Sequence, residues 1–557
     1  MVDGKTKTIF LFLLLLLQVS SFCNSVPLST NSRWIVNEAT GKRVKLACVN
    51  WASHLEPMIA EGLEKKPLQY IAGRISRNGF NCVRFTWATY MFTRPDYYRL
   101  TVSQSLDKYN LTTAKDGITR NNPQFLNMKV REAHQAVVNE LGRNSVMVVL
   151  DNHVSRPKWC CGYDDGDGFF GDADFDPFEW LKGLRKVARA YKGNPAHMLE
   201  HKMEQHLEYG VYSPQRMVVG MSIRNELRGK LQNEADWYKF MRHGANTVHN
   251  ESSHFLVIIS GLSSDKRLGF LRKKPLGVKF NHKLVYEAHW YRFGISADQW
   301  ITRTNDLCAS ATETARDNYL FLTTGDNPVP LILSEFGADQ SGKYEADDRY
   351  MSCLLAEVAE RDIDWALWTY QGSYMLRHGR VNFNETYGVT DLNWNRLRNP
   401  GFVHRLQLIR QMNQESNSKN PTYYIMFHPL SGECVQIGNT NDVILASCEK
   451  PSRWDQHQDD GPIKLAGSSR CLEVAGDGGT VTVSNHCSSN WKVVSRSGLH
   501  LAAQNRHGEY LCLEKNASNS RIVTRKCLCV GDNLVDLPTC ADNPQVQWFK
   551  LVPANVE

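Results

Sequence analysis

Short apolar runs recur along the first two thirds of the chain, at 44–51, 80–87, 146–153, 217–226, 255–261, 284–291, 331–336 and 363–370. Their length and composition are those of strands buried on both faces. Between several of them the apolar residues take a helical spacing, at 63–77, 129–142, 177–191, 235–249 and 344–361. Eight strands alternating with helices predict an α/β fold, an eight-stranded (β/α)8 TIM barrel. A doubly wound sheet is the structural runner-up, but no glycine-rich phosphate loop follows the first strand. Ahead of the barrel, the turn NEATGKR between two short apolar pieces at 34–44 predicts a small hairpin.

The way these runs end carries the chemistry. The run MVVGM at 217–221 breaks into Arg224, Asn225 and Glu226, and the run VPLIL at 329–333 delivers Glu335 just before a glycine. Strand C-termini converge on one face of a parallel barrel, so charged side chains closing an apolar strand there read as function rather than packing. Asn50 and Trp51 end the first strand, and Arg84 lies in the second. Asp151, Asn152 and His153 end the third, His289 and Tyr291 the sixth, and Trp368 the eighth. Arg84 alone would read as an ion-pair partner, and Tyr291 or Trp368 as core aromatics; their joint placement favours a site. Two carboxyl groups at two strand ends are what glycoside hydrolysis needs, one to protonate the leaving oxygen and one to attack or to activate water.

After residue 412 the pattern changes. Residues 414–422 are polar and without apolar period, which predicts a linker after a catalytic domain at 26–413. From 423 to 557 short strands and turns dominate, and three units repeat, each opening on a cysteine and closing on a tryptophan: 434–454, 471–491 and 512–548. Such repetition predicts one supersecondary unit used three times.

Composition adds a compartment. With 557 residues, 42% hydrophobic and 22% charged, the chain is globular and too long for one core. A net charge of +7 against 65 basic and 58 acidic residues, with no dense basic block, does not imply nucleic acid. Lys5 and Lys7 precede the apolar run 9–17, too short to span a bilayer, so residues 1–25 read as a secretory signal peptide and no membrane association is expected. Secretion makes most of the 15 cysteines candidates for disulfides and opens Asn110, Asn250, Asn384 and Asn516 to glycosylation. The expected form is a monomer in the extracellular space or cell wall.

On GFNCVRF around Arg84, LDNH ending at His153, IRNEL with Glu226, HWY with His289 and Tyr291, SEFG with Glu335, and the tryptophan of LWTY, residues 34–412 resemble glycoside hydrolase family 5. The resemblance implies that Glu226 is the general acid/base and Glu335 the nucleophile. It also implies that Arg84, Asn225, His289 and Tyr291 orient and tune them, while His153 and Trp368 line the subsite beside the scissile bond. Arg84 and Tyr291 can donate to Glu335 and hold it ionised, leaving the less well paired Glu226 protonated. No metal or other cofactor is needed, and the partner is a polysaccharide or oligosaccharide. The loop RPKWCCGYDDGDGFFGDADFDPFEW lacks the calcium-loop spacing and reads as a holder of sugar hydroxyls, with Trp159, Phe169 and Phe170 as stacking candidates. Similar loops occur in a plant and fungal subgroup of the family. Cys160 and Cys161 are candidates to tether this loop through Cys308 or Cys353. The segment HMLEH at 197–201 matches a zinc-peptidase pattern without a third ligand, and a solvated helix is the preferred reading.

The three-unit tail resembles the ricin B-like β-trefoil, which implies bridges Cys434–Cys448 and Cys471–Cys487 and two more among Cys512, Cys527, Cys529 and Cys540. Its Q-x-W motif has become SRW, SNW and VQW, with Ser452, Ser489 and Val546 in place of glutamine. The sugar-binding acid falls at Gln436, Glu473 and Glu514, and the stacking aromatic at Ala446, Asn485 and Arg525, so a docking role competes with carbohydrate contact. The whole resembles secreted plant family 5 enzymes, including the cellulase-type pollen allergens of cypress relatives. The resemblance implies a retaining, cellulase-like endo-β-1,4-glucanase of the plant cell wall. A β-mannanase or exo-β-glucosidase is the alternative within the family, and a wall protein that binds carbohydrate with little turnover is the alternative outside it.

Overall fold

The structure is a computed structural model that describes residues 27–192, 217–416 and 422–556. The first 25 residues, read above as a signal peptide, and the HMLEH segment lie outside the described residues. Strands β1 (Leu28–Asn31) and β2 (Trp34–Asn37) form the expected antiparallel hairpin. All eight expected barrel strands follow: β3 (Ala47–Trp51), β4 (Cys82–Ala88), β5 (Met147–Val154), β6 (Val218–Ser222), β7 (Leu256–Ile259), β8 (Leu284–Trp290), β9 (Leu331–Phe336) and β10 (Asp364–Leu367). They pair in parallel and close as β10-β3-β4-β5-β6-β7-β8-β9.

Alternation along the strands sorts the barrel into layers. Val83, Phe85, Leu150, Tyr286 and Leu333 join the core beneath the helices, whereas Cys48, Cys82, Val149, Ile258, Val285, Ile332 and Ala366 form a second, interior core. Leu28 and Ile35 of the hairpin belong to that interior core, so the hairpin caps it. One step further along the strands the inward residues are Arg84 and Glu287, which share a small void with Ser334 above the apolar layer. The barrel is thus apolar at its base and charged at its mouth, which fixes where chemistry can occur.

The helices form where their sequences demand. In Pro177–Tyr191, Asp176 caps the Glu179 amide at 2.6 Å, proline opens the first turn, and Trp180, Leu184, Val187, Ala188 and Tyr191 make one buried face. The helix Glu345–Arg361 is unusual. Every residue from 346 to 359 except Asp348 is buried, so it is covered on all sides.

Its second cover is the C-terminal region, which is mostly antiparallel β-sheet, β11 (Ser373–Arg377) and β12 (Arg380–Asn384) having formed a hairpin before it. There β13 (Tyr423–His428) pairs with the last strand, Lys550–Ala554, which packs on that helix. Trp454, Trp491 and Trp548, which close the three repeats, are fully buried. Seven disulfides account for every cysteine but Cys23, which lies outside the described residues. Four are in the tail: Cys434–Cys448, Cys471–Cys487, Cys512–Cys527 and Cys529–Cys540. The expected tether of the loop after β5 is not made. Cys308 bonds Cys353 across two neighbouring helices, Cys160 bonds its neighbour Cys161, and Cys48 of β3 bonds Cys82, its register partner on β4.

Candidate active site

At the charged mouth of the barrel the strand-end residues converge on Arg84. Its Nη1 lies 2.8 Å from Glu335 Oε1 and donates to Asn50 Oδ1 at 3.0 Å. Its Nη2 donates to Asn225 Oδ1 at 2.9 Å and lies 3.1 Å from Asp151 and 3.5 Å from Glu287. Several buried carboxylates around one guanidinium raise its pKa above the ordinary value, although burial alone would lower it. Arg84 is therefore a fixed charge.

A second chain of contacts starts at His289. Its Nδ1 donates to Glu226 Oε1 at 2.9 Å and stands 3.7 Å from Glu335 Oε2, which also receives the Tyr291 hydroxyl at 3.2 Å. One carboxylate oxygen of Glu226, one of Glu335 and a ring nitrogen of His289 all lie within 4.8 Å of one another. Burial opposes a charge on His289, yet Glu335, Asp265 and Glu226 together raise its pKa to about 9. At neutral pH the ring is a cation between two carboxyl groups.

Proton affinity within this trio is set by burial against the charges of His289 and Arg84. Burial pushes Glu335 up to about 7, more than His289 and Arg84 pull it down, with the Glu226 charge adding to the rise. Burial also pushes Glu226 up, but the hydrogen bond and charge of His289, with Arg228 and Lys266 beyond, outweigh it and hold its carboxyl below the ordinary range. Burial thus favours the neutral form of Glu335 and the imidazolium the charged form of Glu226, and the two carboxyl groups titrate as one coupled pair. The reason is geometric: Glu335 is 6% exposed inside the barrel, whereas Glu226 reaches the rim beside a cation.

The walls come from two loops. His153 Nδ1 lies 2.6 Å from Asp151 Oδ2, and its ring, held neutral by burial and by Arg84, stacks on Trp368 at 5.4 Å. Trp159 meets Trp368 edge-on at 6.4 Å and lies under the Arg377 guanidinium at 3.5 Å. Phe169 and Phe170 do not face the cleft. Both are buried, Phe169 on Phe170 and Phe170 against Phe175, Trp180 and Phe240, and they pack the loop on itself. All eight residues expected in the site are brought together. Three more were missed: His54, 4.1 Å from the His153 ring; Glu287, which accepts from Ser222; and Asp265, which accepts from the Glu226 amide at 3.0 Å. For Glu287 the signal was there, a charge inside the apolar strand LVYEAHW.

This chain is 42% identical over 559 residues to a glycosyl hydrolase 5 family protein of Chamaecyparis obtusa, spanning 97% of this chain and 96% of that one. The chain belongs to the glycosyl hydrolase 5 family. No family model matches the sequence. Among solved structures, a cellulase–inhibitor complex covers 70% of this chain and 99% of its own, with a TM-score of 0.54 at 14% identity. An endocellulase from Pyrococcus horikoshii in complex with cellotetraose covers 70% and 100% with a TM-score of 0.53 at 13% identity. The catalytic domain of the major endoglucanase from Xanthomonas campestris pv. campestris covers 69% and 98% with a TM-score of 0.51 at 18% identity. These structures share the fold of the barrel, and by its family the protein is a glycoside hydrolase.

Proposed function

We propose that this family 5 enzyme is a retaining endo-β-1,4-glucanase of plant cell-wall β-glucan, with Glu335 as nucleophile and Glu226 as general acid/base. The observation that carries the reading is the closeness of the two carboxylates, whose oxygens approach within 4.8 Å. Inverting enzymes keep their carboxyl groups roughly 6.5–9.5 Å apart to admit a water, whereas retaining enzymes hold them at about 5–5.5 Å. The choice of β-glucan follows the family 5 neighbours whose names make them endocellulases.

A proton shared by the carboxyl pair fits this mechanism. Below pH 7 the trio carries one proton for two carboxyl groups beside an imidazolium, and catalysis needs that proton on Glu226. Positive charge growing at the sugar carbon favours ionised Glu335, which Arg84 and Tyr291 then stabilise. The proton has only to cross to Glu226, where it meets the leaving oxygen. Glu335 attacks, the glycosyl–enzyme ester forms, and Glu226 then takes a proton from the water that cleaves it.

Around this centre, residues 26–413 serve as the catalytic domain, 414–422 as the linker and 423–557 as a β-trefoil, with 1–25 removed on secretion. Seven disulfides are consistent with that route. Asn110, Asn250 and Asn384 are exposed and open to glycans. The tail acts as a docking module rather than a lectin: Glu473 is saturated by Ser484, Ser488 and Ser489, and Glu514 is engaged by Gln547 and Arg525.

An NMR time course on a cello-oligosaccharide should show the β-anomer first. Glu335→Gly should abolish turnover, and azide should restore part of it with inverted product. An α-anomer formed first by the unmodified enzyme would overturn the assignment of Glu335.

A further inference from the structure

We propose that Asp265 is a positioning residue for the acid/base, holding both the main chain of Glu226 and the far edge of His289; this rests on the role given to Glu226 above. Asp265 follows β7 in a turn whose residues Ser263, Ser264 and Asp265 have φ of 57°, 56° and 58°. Three successive non-glycine residues in the left-handed region are costly and persist only where surrounding contacts enforce them. Here those contacts come from the loop that carries Glu226. The Ser264 amide donates to the Leu227 carbonyl at 2.9 Å, and the Ser263 amide to Gln232 Oε1 at 2.7 Å. Glu226 is itself left-handed, at φ 43°.

The turn delivers one fully buried carboxylate oxygen to two targets. Asp265 Oδ2 accepts the Glu226 amide at 3.0 Å and faces His289 Nε2 at 3.4 Å, while the opposite ring nitrogen donates to Glu226 Oε1 at 2.9 Å. Asp265, His289 and Glu226 thus form a closed loop of two hydrogen bonds and one ion-pair contact, His289 Nε2 itself making no hydrogen bond, in which one side chain fixes the backbone of the acid and sets its charge against the ring that orients the acid's carboxyl. The charged groups facing this loop are Glu287, Glu335 and Arg84 from the barrel, with Arg228 and Lys266 at the rim. Burial pushes the Asp265 carboxyl well above its ordinary range and the His289 cation pulls it back down; in return Asp265 helps keep His289 cationic and so governs how readily Glu226 takes the proton.

Asp265→Asn keeps an acceptor for the Glu226 amide but removes the charge facing Nε2. On unactivated cello-oligosaccharides its kcat should fall on the order of 10- to 100-fold, a part of what general acid help supplies, with KM little changed. On a dinitrophenyl glycoside, whose leaving group needs little acid, kcat should be nearly unchanged, and the alkaline limb of the pH profile should move to lower pH. Equal losses on both substrates, or none on either, would overturn the inference. Glu226→Ala run alongside separates the two readings: if it shows the substrate split and Asp265→Asn does not, only the positioning role fails. If Glu226→Ala shows no split, the acid/base assignment fails and the positioning role with it. A measurement independent of the variant's folding is the 15N shift of the His289 ring in the unmodified enzyme at pH 7, which should show both nitrogens protonated. A bare Nε2 opposite Asp265 would also refute it.

Discussion

Burial pulls the Glu335 carboxyl one way, His289 and Arg84 the other, and burial prevails, raising its pKa to about 7. Two consequences follow at this single residue. The kcat/KM profile should have an alkaline limb near pH 7, where the last proton shared by the carboxyl pair is lost; activity unchanged to pH 8.5 would contradict it. The second concerns stability. Folded Glu335 titrates at about 7 against an ordinary 4.5, so between those values the folded chain binds more protons than the unfolded one, and this group's contribution to stability falls as pH rises. The full effect is about 3 kcal/mol at ~1.4 kcal/mol per pKa unit. Glu335→Gln should therefore gain stability relative to the unmodified protein as pH is raised from 4.5 to 7. The buried neutral histidines His54 and His134 shift stability the opposite way in both proteins and cancel in the difference. A difference in melting temperature that is flat across the window would show that Glu335 is already ionised.

At the scale of elements, the loop after β5 is held by ion pairs, Asp167 with Arg224 and Asp165 with Arg228, rather than by the cysteine tether that its sequence suggested. Asp167 lies 2.8 Å from Arg224 Nη2 and accepts the Ser155 amide at 2.7 Å, and both partners of the pair are fully buried. Arg224 also stacks on Phe175 at 3.8 Å, which ties the loop to the Glu226 strand end. Asp167→Ala would leave a buried guanidinium without its counter-charge, a loss of about 3–5 kcal/mol. Trp159 rides on this loop, so KM for oligosaccharides should rise more than kcat falls, as initial rates and a thermal melt would show. The eight strands were legible because strands buried on both faces write unbroken apolar runs, and the site was legible where such a run ends on a charge, as at Glu226 and Glu335. Asp265 was not, because SSDK reads as an ordinary polar turn and the left-handed backbone that aims its carboxylate leaves no periodic trace. The cysteine pairs in the barrel part were illegible for a related reason. Cys48 and Cys82 meet only because β3 and β4 fall into one register, and spacing along the chain does not encode that.

At the scale of the whole molecule, the two regions share a core rather than touching through a linker. Ile425, Phe427, Leu499, Trp548 and Val552 of the tail belong to the same buried cluster as the barrel helices. Polar contacts tie the seam: Trp548 Nε1 donates to Asn305 Oδ1 at 3.2 Å, Ser352 Oγ to Gln545 Oε1 at 3.0 Å, and Lys550 pairs with Glu360 at 2.8 Å. Every candidate catalytic residue precedes the tail, so a chain without it would be expected to hydrolyse small substrates. The helix Glu345–Arg361 changes that expectation. Buried all round, it would present a bare apolar face without the tail, and helices of that kind are stable only while covered. Its first two turns also set the rim of the barrel: Asp347 pairs with Arg292, one residue beyond Tyr291, and Tyr350 donates to the Trp290 carbonyl. A chain ending at Met412 should therefore melt well below the full-length protein and lose activity even on soluble cello-oligosaccharides, in step with its loss of folded fraction. Calorimetry of the full-length protein should show one cooperative transition for both regions, as a large apolar interface requires. Two separate transitions, with a truncated barrel melting at the higher or lower of them and fully active, would show that the seam contributes little.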